Sequence, residues 1–129
     1  MNEKMKEEVK ESFVFDTYAI FEIIEGNVNY KHYLDSNIII NDFIFAELCY
    51  NLLKANNRKA EEYILKYSPY ISSLEYKWIK EAMEFRLKWK DRNVSMTDCI
   101  GYVMAKNLGI KFLTGDKEFK DMENVEYVK

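Results

Sequence analysis

The stretch Phe13-Val14-Phe15-Asp16-Thr17 places an acidic residue directly after a short apolar run. Three apolar residues in a row, two aromatic and one β-branched, indicate a short buried strand. Beyond Thr17 the apolar residues follow helical spacing, and Gly26 is expected to interrupt that helix. A strand that leads directly into a helix is the repeating unit of α/β folds.

The same alternation continues along the chain. Further strands are predicted at 38–40, 70–74, 111–113 and 125–128. Further helices are predicted at 42–55, 58–67, 75–91 and 98–108. Asn41 or Asp42 is expected to cap the first of these helices. Thr97 is expected to cap the last one, and Gly109 to end it. Strands that alternate with helices predict an α/β domain whose parallel sheet is covered by helices on both faces.

Four carboxylates adjoin these buried elements. Asp16 and Asp116 follow strands, whereas Glu47 and Asp98 belong to helices that are able to reach the same edge of the sheet. Carboxylates about 4 Å apart repel by roughly 4 kcal/mol at an effective dielectric of ~20, so a convergent set raises pKa values or holds a cation. Because Mg²⁺ and Mn²⁺ prefer oxygen ligands, the four acids predict a divalent metal site. Such a site suits hydrolysis of a nucleic-acid backbone.

Each acid also has an ordinary explanation when it is taken alone. Asp16 and Asp98 precede helices and are typical helix caps. Glu47 fits an exposed stripe on a half-buried helix, and Asp116 fits a turn after Thr114-Gly115. The argument for a shared site therefore depends on the four acids together.

Composition narrows the function classes. The chain has 129 residues and 48% hydrophobic residues, which is enough for one domain with a substantial core. Its net charge of -3 disfavours proteins that bind nucleic acid through overall positive charge.

Cys49 and Cys99 lie in apolar runs without metal-ligand spacing, as expected for reduced thiols of a cytoplasmic protein. No secretory leader or membrane span is expected, and the single residue His32 disfavours zinc sites and Ser-His-Asp chemistry.

The charged residues suggest a boundary and a nucleic-acid contact. Residues 1–12 are rich in Lys and Glu and are expected to form a charged N-terminal extension, with residues 13–129 as the folded domain that carries the four acids. Five basic residues are candidate RNA phosphate contacts: Arg86, Lys88, Lys90, Arg92 and Lys117. The alternative for the run from 86 to 92 is a solvated helix face.

Four short motifs, taken in order, resemble the PIN-domain family and, within it, the VapC-type toxin ribonucleases. They are Phe-Val-Phe-Asp-Thr at 13–17, Phe-Ala-Glu-Leu at 45–48, Thr-Asp-Cys-Ile at 97–100 and Leu-Thr-Gly-Asp-Lys-Glu-Phe at 113–119. The resemblance implies a three-layer α/β/α sandwich with a mostly parallel central sheet. It also implies an endoribonuclease that uses Mg²⁺ or Mn²⁺ to hydrolyse RNA phosphodiester bonds, leaving a 3′-hydroxyl and a 5′-phosphate.

Residue roles follow from the same resemblance. It implies that Asp16, Glu47, Asp98 and Asp116 are the catalytic residues and metal ligands, and that the Thr114 hydroxyl orders the acidic cluster. A homodimer and an inhibitory antitoxin protein are implied partners.

Three alternatives stay open at the level of sequence. The first is a PIN-like module that binds a protein partner with little turnover. The second is a phosphoryl-accepting receiver domain, which requires an adjacent acidic pair at the first strand that this chain lacks. The third is a haloacid-dehalogenase-like phosphatase, which requires a second Asp at position 18, where this chain has Tyr18.

Overall fold

The computed structural model describes residues 10–129. The strands are β1 (Ser12–Phe15), β2 (Asn37–Ile39), β3 (Lys111–Thr114) and β4 (Val125–Tyr127). The α-helices are α1 (Thr17–Ile24), α2 (Asp42–Lys54), α3 (Ala60–Tyr67), α4 (Tyr76–Lys88) and α5 (Met96–Leu108). Short 3-10 helices lie at Val28–Asp35, Ser68–Tyr70 and Lys117–Phe119.

The four strands form one sheet in the order β2-β1-β3-β4, and every neighbouring pair is parallel. Val14 in β1 is paired with Ile39 of β2 on one side and with Phe112 of β3 on the other. This confirms the predicted α/β fold with a mostly parallel sheet. The chain moves outward from β1 to β2 and then returns to β3, so the strand order reverses between β1 and β3. In open parallel sheets, ligands bind beyond the carboxyl ends of the strands at such a reversal.

The core fixes α5 against the centre of the sheet. The rings of Phe112 and Phe119 meet edge to face with centroids 5.4 Å apart, and Tyr102 of α5 packs on both. A Cβ atom at Gly101 would lie 2.8 Å from the Phe112 ring, closer than real Cβ contacts. Gly101 therefore allows α5 to lie directly on β3, and this contact sets the position of Asp98 one turn earlier.

Local signals explain where most elements begin and end. The Asn41 side chain accepts hydrogen bonds from the backbone N–H groups of Phe43 and Ile44 at 2.9 Å, so Asn41 caps α2, one of the two predicted caps. Gly26 adopts a φ of 79° after α1 and Gly109 a φ of 70° after α5. Both predicted helix ends are therefore confirmed, because glycine enters this region without the penalty of a Cβ atom.

Two local predictions were wrong. Residues 70–74 do not form a strand: Ser68–Tyr70 forms a 3-10 turn with Pro69 at its start, and the contact with the sheet region is a single bridge between Ile40 and Ile71. Proline favours a helical first turn because its φ is already fixed, which competes with an extended conformation. Helix α5 is capped by Ser95 rather than Thr97, because the Ser95 hydroxyl accepts a hydrogen bond from the Asp98 N–H at 3.0 Å.

The N-terminal boundary stays a prediction. Ser12 already belongs to β1, where it is paired with Asn37 of β2. The helix or tail expected for the rest of the extension falls mostly on residues 1–9, which lie outside the described part of the chain. Within residues 10–129, none of the helices has the length and apolar character needed to cross a membrane.

Candidate active site

Asp16 lies at the end of β1, inside the crevice where the strand order reverses. Its side chain is 4% exposed, and its backbone N–H donates to the Leu113 carbonyl of β3 at 3.0 Å. Although Asp16 occupies the N-cap position of α1, its side chain makes no capping hydrogen bond. Instead, Asp16 Oδ2 accepts a hydrogen bond from the Thr114 hydroxyl at 2.7 Å. The structure therefore does not support the helix-cap explanation of Asp16.

Three of the four predicted acids come together. Asp16, Glu47 of α2 and Asp98 of α5 each place one carboxylate oxygen within 4.8 Å of the other two. Asp98 lies in the first turn of α5, where Ser95 rather than Asp98 is the cap, and Glu47 is only half-buried. Three separate elements thus direct carboxylate oxygens to one point beyond the sheet edge.

Asp116 lies in the same pocket but outside this group of three. Its Oδ1 atom accepts a hydrogen bond from the Glu118 N–H at 3.0 Å and so caps a 3-10 helix. Its own N–H donates to the Thr114 hydroxyl oxygen at 3.0 Å. The turn explanation of Asp116 is therefore correct, and Thr114 is the link that connects Asp116 to Asp16.

Burial and mutual repulsion control the protonation of this cluster. Burial raises the pKa of Asp16 well above its usual range, and Asp98 raises it further, against the hydrogen bond from Thr114. Burial also raises the pKa of Asp98, and the charges of Glu47 and Asp116 add to the increase. The pocket therefore stabilises protonated carboxyl groups unless positive charge is supplied.

The donor set fits a divalent cation. The pocket offers carboxylate oxygens from several elements, the ligand type that Mg²⁺ and Mn²⁺ prefer. Thr17 also lines the pocket, and within residues 10–129 its hydroxyl is buried without a hydrogen-bond partner. A buried hydroxyl without a partner costs free energy, and an unpaired polar group of this kind is typical of a site that binds water or an ion.

The surrounding pocket has a volume of about 610 Å³. Six of its lining residues were not among the predicted site residues: Thr17, Tyr18, Phe21, Asn51, Gly115 and Lys129. Lys129 does not belong to any of the four sequence motifs. However, β4 is parallel to β3, so the residues that follow β4 emerge at the same edge as Asp16 and Asp116. Strand direction is therefore the signal that identifies Lys129.

Of the five predicted RNA contacts, Lys117 lines the acidic pocket and the four residues at 86–92 do not. Arg86 Nε donates to the Val94 carbonyl at 3.2 Å. The Arg92 guanidinium lies 3.8 Å from the centre of the Trp89 ring and donates to the Glu118 carbonyl at 2.7 Å. All four residues are exposed, and the two arginines make these contacts whereas no such contact is found for Lys88 and Lys90 among residues 10–129.

The remaining candidates lie outside the acidic cluster. His32 is exposed and borders a cleft beside Phe13, at the opposite edge of the sheet. Cys49 and Cys99 are free thiols, half-buried and buried respectively. Burial raises the pKa of both thiols, which makes them poor nucleophiles.

Comparison with known families identifies one match. The sequence model of the PIN-domain family matches residues 13–125. A comparison with curated protein sequences gives no match.

Comparison with solved structures shows the same fold in three toxin-system proteins. A toxin-antitoxin complex from Klebsiella pneumoniae has a TM-score of 0.73 at 17% identity, covering 88% of this chain and 95% of that one. VapC20 of Mycobacterium tuberculosis, a sarcin-ricin loop cleaving toxin, has a TM-score of 0.73 at 14% identity, covering 92% and 100%. VapBC2 of Rickettsia felis, bound to a fragment of its promoter DNA, has a TM-score of 0.66 at 17% identity, covering 92% and 99%.

Proposed function

This chain belongs to the PIN-domain family, and from that premise we propose that it is an endoribonuclease that hydrolyses RNA phosphodiester bonds with Mg²⁺ or Mn²⁺. The observation that carries the proposal is the convergence of Asp16, Glu47 and Asp98 within 4.8 Å at the carboxyl edge of the sheet. Carboxylates that repel one another at this distance are expensive to maintain in a fold unless a cation binds between them.

In this proposal Asp16, Glu47 and Asp98 hold the cation, and Asp116 completes the acidic site from the next strand. A bound divalent cation supplies positive charge that lowers the pKa of water and stabilises the charge developing on the phosphodiester. Hydrolysis joins the water oxygen to phosphorus and breaks the bond to the 3′ oxygen, which takes up a proton. The products are a 3′-hydroxyl and a 5′-phosphate.

The chain's own contribution is to hold the acids in place. Thr114 fixes one oxygen of Asp16 by a hydrogen bond, and Gly101 seats the helix that carries Asp98. The N–H of Glu118 orients Asp116. Asp16, Asp98 and Asp116 are therefore positioned before substrate binds, which reduces the cost of assembling the reactive arrangement.

The toxin role is part of the same proposal. The structures that share the fold come from toxin-antitoxin systems, which supports an antitoxin protein as a partner of this chain. We further propose a homodimer, which static light scattering of the purified protein tests.

Cleavage of single-stranded RNA by the purified protein tests the function. We expect cutting with Mg²⁺ or Mn²⁺, none with EDTA, and 5′-phosphate ends on the products. Asp98→Asn should lower the cleavage rate by more than about 100-fold. Loss of a mere hydrogen-bond partner of a metal ligand already lowers metal affinity or activity by about 10- to 100-fold. In cells, expression of the wild-type chain should arrest growth and expression of the variant should not.

Asp42→Asn is the matched control. Asp42 lies in the first turn of α2, as Asp98 does in α5, but it is exposed and does not line the pocket. Metal-dependent cutting that continues at full rate in Asp98→Asn would contradict the assignment of the acidic cluster as the active site. Absence of metal-dependent cutting by the wild-type protein would instead favour a PIN-like module that only binds a protein partner.

A further inference from the structure

Two lysines line the acidic pocket. Lys117 follows Asp116 directly, and Lys129 follows β4; both are exposed. The Lys129 ammonium lies 5.3 Å from the centre of the Tyr18 ring, which also lines the pocket. These are the two positively charged side chains that the described part of the chain brings to this pocket, beside four carboxylates.

The backbone at Lys129 is held firmly next to the site. The Val128 N–H donates to the Thr114 carbonyl at 2.9 Å, and the Tyr30 hydroxyl donates to the Val128 carbonyl. Asn29 Nδ2 donates to the Lys129 carbonyl at 3.0 Å. These hydrogen bonds join the backbone around Lys129 to β3, the strand that carries Thr114. The backbone of Lys129 is therefore held in place at the rim of the pocket.

Close packing beneath the side chain fixes the Tyr18 ring as well. A Cβ atom at Gly115 would overlap that ring and would lie 2.7 Å from the Val128 carbonyl oxygen. The Tyr18 ring, Gly115 and the Val128 backbone are therefore closely packed. An ammonium above an aromatic face is stabilised by roughly 0.5–1 kcal/mol at an exposed site, which favours this placement. The ammonium keeps its positive charge and is still able to bind an anion.

The charge of Lys129 is not neutralised within the pocket. Among residues 10–129 the sole ion pair joins Lys111 to Glu126 at 3.7 Å. Lys117 and Lys129 thus line an acidic pocket and form no ion pair with its carboxylates. An RNA phosphate that approaches four carboxylates in a chain of net charge -3 needs local positive charge, and these two ammonium groups are placed to supply it.

We propose that Lys129, placed on the Tyr18 ring, binds a backbone phosphate of the RNA strand at the mouth of the acidic pocket, with Lys117, the residue after Asp116, as a second contact. The inference rests on the proposed function, since it names how that site binds its substrate. Lys129 is a positioning residue in this account: it contacts a phosphate that is not cleaved.

The salt dependence of RNA binding tests this contact. The probe is a fluorescein-labelled single-stranded RNA oligonucleotide, titrated with full-length protein in Ca²⁺ buffer, and a gel checks that the oligonucleotide is intact. Each phosphate contact to a single strand adds about 0.7 to the slope of log affinity against log salt. Lys129→Gln should lower the slope by about 0.7 and weaken binding by about fivefold at low salt. Lys129→Arg should restore both values.

Lys66→Gln is the matched control. Lys66 lies 5.5 Å from the centre of the Tyr67 ring, the same arrangement as Lys129 on Tyr18, but it does not line the acidic pocket. Lys66→Gln removes the same charge and should keep the wild-type slope of log affinity against log salt. In cleavage assays with Mg²⁺, Lys129→Gln should raise KM by about fivefold with kcat nearly unchanged, as expected for loss of uniform binding.

Three outcomes would overturn the contact: an unchanged slope in Lys129→Gln, an equal drop in Lys66→Gln, or no RNA binding by the wild-type protein. A drop confined to Lys129→Gln supports it. The slope is measured without cleavage. A drop in Lys129→Gln together with a wild-type protein that never cuts RNA would therefore contradict the proposed function and still support the Lys129 contact.

Discussion

At the scale of single residues, Thr114 joins the two strand-end acids. Its hydroxyl donates to Asp16 Oδ2 at 2.7 Å and accepts from the Asp116 N–H at 3.0 Å, with the side chain fully buried. A buried hydroxyl used as donor and acceptor at once fixes both neighbours, and its loss leaves Asp16 with one fewer partner.

Thr114→Val keeps the shape of the side chain and removes its hydroxyl. We expect RNA cleavage to fall by about 10- to 100-fold, as for other partners of metal ligands. Stability should fall by about 1–3 kcal/mol because a buried acceptor loses its donor. Thr97→Val is the control, since Ser95 and not Thr97 caps α5. Cleavage that stays at the wild-type rate in Thr114→Val would contradict the ordering role.

The sequence was sufficient to predict which acids lie near the pocket and insufficient to predict how each one is used. Asp16, Glu47 and Asp98 converge, whereas one carboxylate oxygen of Asp116 accepts the hydrogen bond that caps a 3-10 helix. That difference depends on backbone N–H groups, whose direction is set only once the turn has formed. Lys129 was missed for a related reason, because its position depends on strand direction rather than on a motif.

At the scale of elements, α5 and β3 form the contact that positions Asp98. The strands and most helices were predictable, since apolar periodicity and caps report on local structure. The wrongly predicted strand at 70–74 has β-type residues, but it follows Pro69 and meets the sheet region at one bridge. Pairing with a neighbour decides whether such a segment becomes a strand, and periodicity does not contain that information.

Gly101→Ala tests the α5–β3 contact. The added Cβ atom would lie 2.8 Å from the Phe112 ring and 3.4 Å from the Ile44 side chain, so the helix must shift. We expect a loss of about 1–3 kcal/mol in stability from overpacking. Cleavage of RNA should fall as well, because the displaced helix carries Asp98. Melting temperature and cleavage rate are the two measurements.

Gly109→Ala provides the comparison at the other end of the same helix. It should cost about 1 kcal/mol, because alanine is strained at the φ of 70° found there. Since this strain lies at the far end of α5 from Asp98, the cleavage rate below the melting temperature should stay near the wild-type value. If both variants lost activity in proportion to stability, the contact at Gly101 would have no special role in the site.

At the scale of the whole molecule, the reversal of strand order between β1 and β3 brings together residues that are far apart in sequence. Asp16 and Thr114 are separated by 98 positions and meet through a hydrogen bond. Parallel strands force their carboxyl ends to one edge, so the chain concentrates negative charge there while its net charge is only -3. The central claim is that this concentrated charge binds a divalent cation.

Calorimetric titration of the metal-free protein with Mn²⁺ tests that claim most directly. Burial and the neighbouring carboxylates raise the pKa of both Asp16 and Asp98, so protons compete with the metal for these oxygens more strongly as the pH falls. We therefore predict saturable binding at neutral pH that weakens as the pH falls, with loss of the site in Asp98→Asn and retention in Asp42→Asn. Absence of saturable Mn²⁺ binding at neutral pH, or equal binding by Asp98→Asn, would contradict the account.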